Sequence, residues 1–217
     1  MRLKIIALFL VFVIGIGAFA GLFILQNGKG AFFNPGDRYQ SQRLDYMGVI
    51  YTNQSDIYAF NDGYSETNSC PWGFIHNGID YFFLNDSEVI AAAPGYVESV
   101  NWRLNPDTTL NMYNVFVTIR FNKTLELYYS FEPFTHVEGD QNRQIAMLCV
   151  QVGDWVSKGD TIGRFLCAEN GGHIHFSVRH GNTWFNPESF FGSADHDEIM
   201  SLIHDYHPSW NLSYPNP

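Results

Sequence analysis

The sequence predicts a mainly β domain, an antiparallel sheet of sandwich or barrel-like form. An N-terminal transmembrane helix is expected before it and a short C-terminal helix after it. Three observations carry this reading. Short alternating segments crowd together from Trp72 onward, with turn residues between them and almost no helical pattern. Ile5 to Leu25 is an uncharged apolar run behind Arg2 and Lys4. Near the end, Ile199, Leu202, Ile203 and Tyr206 fall at helical spacing and form one apolar stripe.

Taken in order, residues 1–25 read as a membrane anchor or a signal segment. About 20 apolar residues match the hydrocarbon thickness of a bilayer. Ala18-Phe19-Ala20 resembles a cleavage site. The basic N-terminus places everything after Gln26 outside the cytoplasm, either anchored or secreted after cleavage. Residues 26–67 are rich in Gly, Asn and aromatics and read as a linker and lead-in, with a strand expected near Met47–Tyr51.

Residues 68–192 carry the domain. Glu88–Ala93 runs into the turn Pro94-Gly95 and resumes as Tyr96–Val100. Val115, Val117, Ile119 and Phe121 alternate with other residues, and Asn122-Lys123 separates them from Thr124–Ser130, a β-hairpin in which Asn tolerates a left-handed turn. Asp140–Arg143 reads as a loop. Val152-Gly153-Asp154 and Lys158-Gly159-Asp160 are turns between short strands. His173–Val178 is a further strand, turned by His180-Gly181-Asn182 toward Trp184. In residues 193–217, Ser193 is placed to cap a helix whose first turn holds Asp195, Asp197 and Glu198, and Pro208 ends it.

Composition excludes some function classes. The 217 residues are 46% hydrophobic and 17% aromatic, enough for a packed core. A formal net charge of -10 argues against nucleic acid as a partner, since phosphate binding needs a basic surface. Cys70, Cys149 and Cys167 allow one disulfide, with Cys149 and Cys167 bracketing a hairpin. Their spacing matches no cysteine zinc site. Sequons begin at Asn53, Asn85, Asn122 and Asn211, compatible with an exported surface.

The chemistry concentrates in Gly171–Val178. On a strand His173 and His175 point to one side, about 6.6 Å apart along it. Partners stand upstream, where His76 and Asp80 are four residues apart with Gly78 between them. Two neutral imidazoles and one carboxylate make a three-ligand set that leaves a fourth tetrahedral position for water, the arrangement of a catalytic zinc site. His180 reads as solvated, and His196, His204 and His207 as polar-face residues of the terminal helix.

At these residues the chain resembles the lysostaphin-type (LytM-like) zinc metallopeptidases, the murein endopeptidases. His76-Asn77-Gly78-Ile79-Asp80 and His173-Ile174-His175 match their His-x-x-x-Asp and His-x-His signatures. Val89–Val97, Val152–Gly163 and Asn186-Pro187 resemble the family framework, so the likeness spans about Trp72 to Pro187. It implies one zinc on His76, Asp80 and His175, with His173 assisting proton transfer. It also implies a peptide cross-link of a cell-wall polymer as substrate. One departure stands out: Ser130 occupies the place of a further histidine in the family's Tyr-x-His-Leu motif. His136, Tyr128 or Tyr129 is then expected to supply the missing group, or else the chain is a non-catalytic module that binds wall material or a partner protein. A carrier-type hairpin around Lys158 fits poorly, because no partner hairpin frames it.

Overall fold

The computed structural model describes residues 43–106 and 109–215. The expected transmembrane helix at residues 1–25 lies outside the described residues. Among the described residues no helix is long and apolar enough to cross a membrane. In chain order the strands are β1 (Ile57–Ala59), β2 (Tyr64–Ser65), β3 (Ile79–Phe83), β4 (Glu88–Ile90), β5 (Gly95–Leu104), β6 (Tyr113–Arg120) and β7 (Glu126–Glu132). Helix α1 (Asp140–Ala146) follows, then β8 (Trp155–Val156), β9 (Thr161–Arg164), β10 (His173–His180) and β11 (Thr183–Phe185). Helix α2 (Ser193–Tyr206) and β12 (Ser213–Tyr214) close the chain.

Eight strands make one antiparallel sheet curled into a half-barrel, in the order β1-β3-β10-β7-β6-β5-β8, with β11 also on β10. Strand alternation divides its faces. Ile79, Tyr81 and Phe83, then Val115, Val117 and Ile119, then Leu127, Tyr129 and Phe131, then Ile174, Phe176 and Val178 all enter the core. Their neighbours one residue along, including Asp80, Ser130, His173 and His175, stand on the opposite face. The register aligns Asp80, His175, Ser130 and Phe116 as consecutive cross-strand partners. Residues far apart in sequence thereby share one row.

Of the two expected forms, the described residues take the barrel-like one, a curled half-barrel. Among the described residues the remaining pairings are two two-stranded sheets, one of which, β2 with β12, is parallel. The core face is closed instead by Leu44, Met47, Val49, Ile50 and Tyr51 of the lead-in and by Ile199, Leu202 and Ile203 of α2. That lead-in forms bridges, Met47 to Phe191 and Tyr51 to Val89, rather than a strand. Helix α2 begins at Ser193 with Gly192 as its cap, and Ile199, Leu202 and Ile203 of its apolar stripe are buried while Tyr206 is exposed.

Other local expectations change for identifiable reasons. Asp140–Arg143 is not a loop but the start of α1, a helix seated by polar rather than apolar side chains. Asp140 accepts from Thr135 Oγ1 and Arg143 Nη1, each at 2.6 Å. The buried Gln144 donates to the Arg164 carbonyl at 2.8 Å and accepts from the Leu166 N–H at 2.8 Å. No apolar stripe announces such a helix. Asn122 turns its hairpin through its side chain, whose Oδ1 accepts from the N–H groups of Thr124 and Leu125, not through a left-handed backbone. The three cysteines, which allow one disulfide or free thiols, are all free.

Candidate metal centre

His76 lies just ahead of β3, bridged to Ser65 on β2. Ser65 N–H donates to the His76 carbonyl at 2.8 Å and His76 N–H returns the bond at 3.0 Å. The Ser65 hydroxyl accepts from the Trp72 indole at 2.9 Å. Asp80 is on β3 and His175 opposite it on β10. Three atoms converge: His76 Nε2 and His175 Nδ1 at 3.0 Å, His175 Nδ1 and Asp80 Oδ1 at 2.8 Å, His76 Nε2 and Asp80 Oδ1 at 3.3 Å. Among the described residues this is the group of His, Cys, Asp or Glu side chains that can hold a metal ion.

The donor set fits zinc. Tetrahedral zinc with N and O ligands at about 2.0–2.1 Å spaces them about 3.3 Å apart, and this triangle has to open by only a few tenths of an ångström. The outer nitrogens are also spoken for. His76 Nδ1 is 2.7 Å from the Gly63 carbonyl, and His175 Nε2 is 2.8 Å from the Ser177 hydroxyl. A carbonyl only accepts, so Nδ1 of His76 carries the hydrogen and Nε2 offers its lone pair inward. Such backing orients a metal-ligating imidazole and fixes its tautomer.

His173 shares the face. Its Nδ1 is 2.8 Å from the Gly171 carbonyl, and its Nε2 lies 3.7 Å from Asp80 Oδ2 and 3.6 Å from Glu132 Oε2. Phe82 lies beneath its ring at 5.0 Å between centroids. Phe134, held at φ 58°, flanks it at 6.4 Å. A bulky residue at positive φ is strained, a feature that clusters at functional sites.

Burial alone pushes the Asp80 carboxyl up, but the charge of His173 and the hydrogen bonds of His175 and His76 outweigh it and hold it well below the usual carboxylate range. Burial alone would lower His76. The Asp80 hydrogen bond and charge win and raise its pKa from 6.5 to about 8. A folded-state pKa above the unfolded value means stabilisation that is complete below about pH 6.5 and lost as pH rises through about 8. The metal-free protein is therefore expected to lose on the order of 2 kcal/mol from this group between about pH 6 and pH 9. Urea titrations across that range check it, and a flat profile would remove the claim. Zinc affinity should move oppositely, tightening as the competing protons leave.

The histidines distribute as follows. His76 and His175 meet Asp80, and His173 stands beside them. His136 does not reach in: its ring is exposed and lies 3.9 Å from Glu169. Tyr129 is on the core face, its hydroxyl accepting from the Ala92 N–H at 2.8 Å. Tyr128 shares the site face but lies under the Arg179 guanidinium, 4.1 Å from its ring centre. His207 stacks on Trp210 at 3.6 Å, and His196 pairs with Glu188. Ser130 stands directly across from His175, and its hydroxyl donates to Glu132 Oε1 at 2.9 Å. Sequence reasoning missed Glu132 and Ser177. Alternation along 128, 130, 132 and along 173, 175, 177 is the signal that marks them.

Fold and cluster together define a class: a candidate metal centre carried on one face of an antiparallel half-barrel. The family follows from the sequence itself. The model for peptidase family M23 matches residues 74–187, more than half of the chain, and the chain belongs to that family. Among solved structures it is similar to Helicobacter pylori Csd3, at 24% identity and a TM-score of 0.42, over 68% of this chain and 34% of that one. The chain thus spans about a third of the length of that relative. It is also similar to a zinc-containing peptidase from Vibrio cholerae (20% identity, TM-score 0.41, 64% of this chain and 39% of that one). A third likeness is to the catalytic domain of lysostaphin from Staphylococcus simulans (18% identity, TM-score 0.40, 63% and 93%). No curated protein matches the sequence.

Proposed function

We propose that this chain is a zinc-dependent endopeptidase that works outside the membrane and hydrolyses peptide cross-links of a cell-wall polymer. The carrying observation is the triangle of His76, Asp80 and His175 with His173 beside it, in a chain of family M23. Zinc held there supplies Lewis acidity, polarising a carbonyl and lowering the pKa of bound water to about 7. The protein does the rest. His76, Asp80 and His175 hold the ion, and the Gly63 carbonyl and Ser177 hydroxyl orient the two imidazoles. His173, with Nδ1 tied to Gly171, exchanges a proton at Nε2. Phe74 and Ile75, exposed beside His76, offer an apolar rim to a peptide.

Ser130 favours a second reading, a module that binds wall material or a partner protein without cleaving it, because a neutral hydroxyl stabilises developing charge far less than an imidazolium. One experiment separates the two. The zinc-loaded full chain is incubated with peptidoglycan and with short cross-bridge peptides, and new amino termini are counted. Release of amines that stops with chelator and returns with zinc is expected. Equimolar zinc with wall binding and no amine release would favour the module, and folded protein that takes up no zinc would sink the peptidase.

A further inference from the structure

Glu132 lies across the strand pair from His173 and on the same face as Ser130. Both of its oxygens are held. Oε1 accepts from the Ser130 hydroxyl at 2.9 Å, and Oε2 accepts from Asn111 Nδ2 at 2.5 Å. Oε2 also stands 3.6 Å from Nε2 of His173. The Gly171 carbonyl accepts the hydrogen on Nδ1, so a proton taken up at Nε2 makes the ring an imidazolium that faces the Glu132 and Asp80 carboxylates. The Glu132 side chain is 18% exposed and that of His173 12%. A carboxylate this enclosed is costly to desolvate without partners, and here three polar groups converge on it. The sheet itself does not require it, because β7 pairs through its backbone and fills the core with Leu127, Tyr129 and Phe131.

We propose that Glu132 is a positioning residue of this site: it holds Nε2 of His173 in the orientation in which that ring handles a proton, and Ser130 serves to hold Glu132. The inference rests on the peptidase reading for its consequence in rate, but not for its geometry. Serine at 130 then becomes one end of a Ser130–Glu132–His173 chain rather than a lost group. The carboxylate sits two residues along the strand, the shortest displacement that keeps it on the same face.

The test uses the zinc-loaded full chain, comparing wild type with Glu132→Gln, Glu132→Asp and Ser130→Ala. Zinc content, the ring ¹⁵N resonances of His173, and cleavage across pH are measured. Glu132→Gln should keep equimolar zinc and shift the His173 Nε2 resonance. It should lose at least about 100-fold in kcat, alter its pH profile and change KM by less than about threefold, with Glu132→Asp recovering part. Ser130→Ala, which leaves the carboxylate in place, should shift the same resonance less. An unmoved His173 resonance in Glu132→Gln overturns the proposal, as does a kcat within about threefold of wild type. Unfolding or zinc loss in Glu132→Gln with an unmoved resonance in Ser130→Ala makes the carboxylate a structural group, and also overturns it. If the zinc-loaded wild type cleaves nothing, the peptidase reading fails while the resonance still decides the position of His173.

Discussion

His175→Ala is expected to abolish equimolar zinc uptake and to lower peptide hydrolysis by at least about a thousandfold, since zinc contributes several kcal/mol of charge stabilisation to such a reaction. The effect is large because His175 sits at the hub of the cluster. Its Nδ1 is 2.8 Å from Asp80 and 3.0 Å from His76, closer to each than those two are to one another. Without it a nitrogen and an oxygen remain, one ligand short of a site that binds zinc with three protein groups. The fold should survive. Ile174 and Phe176, the neighbours that bury themselves in the core, are untouched, and β10 keeps both flanking strands. Zinc content and circular dichroism on the same preparation separate the two effects. A folded His175→Ala protein that still carries equimolar zinc would remove the ligand assignment.

Gly78→Ala is the second large effect, and it acts on the same centre through sterics. A Cβ on Gly78 would lie 2.5 Å from the Phe176 carbonyl oxygen and 2.7 Å from both Cε1 and Nε2 of His175. The first of these atoms is backbone in the middle of β10, paired with β3 at Ile79 beside Gly78. It cannot rotate away, so β3 and β10 must part or the imidazole must leave its place. Overpacking of this kind costs about 1–3 kcal/mol, and displacing a ligand ring should weaken zinc binding by at least about 10-fold. Thermal unfolding with and without zinc, together with competitive zinc titration, measures both. Wild-type values in both would show that the close approach at Gly78 is not needed.

The two variants share a lesson about what residue patterns carry. Strand alternation marked the pairing of His173 with His175 on one face, and the same rule applied two residues further would have marked Ser177 and Glu132. Local rules marked the β6–β7 hairpin and α2, because each depends on neighbours within a few residues. They read the start of α1 as a loop, because its anchors Asp140 and Gln144 bond to groups elsewhere, and they misjudged Asn122, which turns the chain by side-chain hydrogen bonds. They left the cysteine pairing open, with Cys149 and Cys167 bracketing a hairpin. Cys149 is exposed, and the Cys167 thiol instead donates to the Glu169 carbonyl.

What the sequence determined by itself was the mainly β character, written in alternation and turn residues, and, through the resemblance its motifs carry, the family. The tertiary structure decided how the core is closed and which side chains support the centre. Leu44 to Tyr51, without periodicity of their own, cover the core face of the sheet together with α2. The roles of Gly63 and Glu132 depend on which segments pair, and the same pairing brings His76 and His175, 99 residues apart, within 3.0 Å of one another. It also decided against His136 and Tyr129 as stand-ins at Ser130, because one points to solvent and the other into the core. Register is a property of paired strands, and no single segment of the chain contains it.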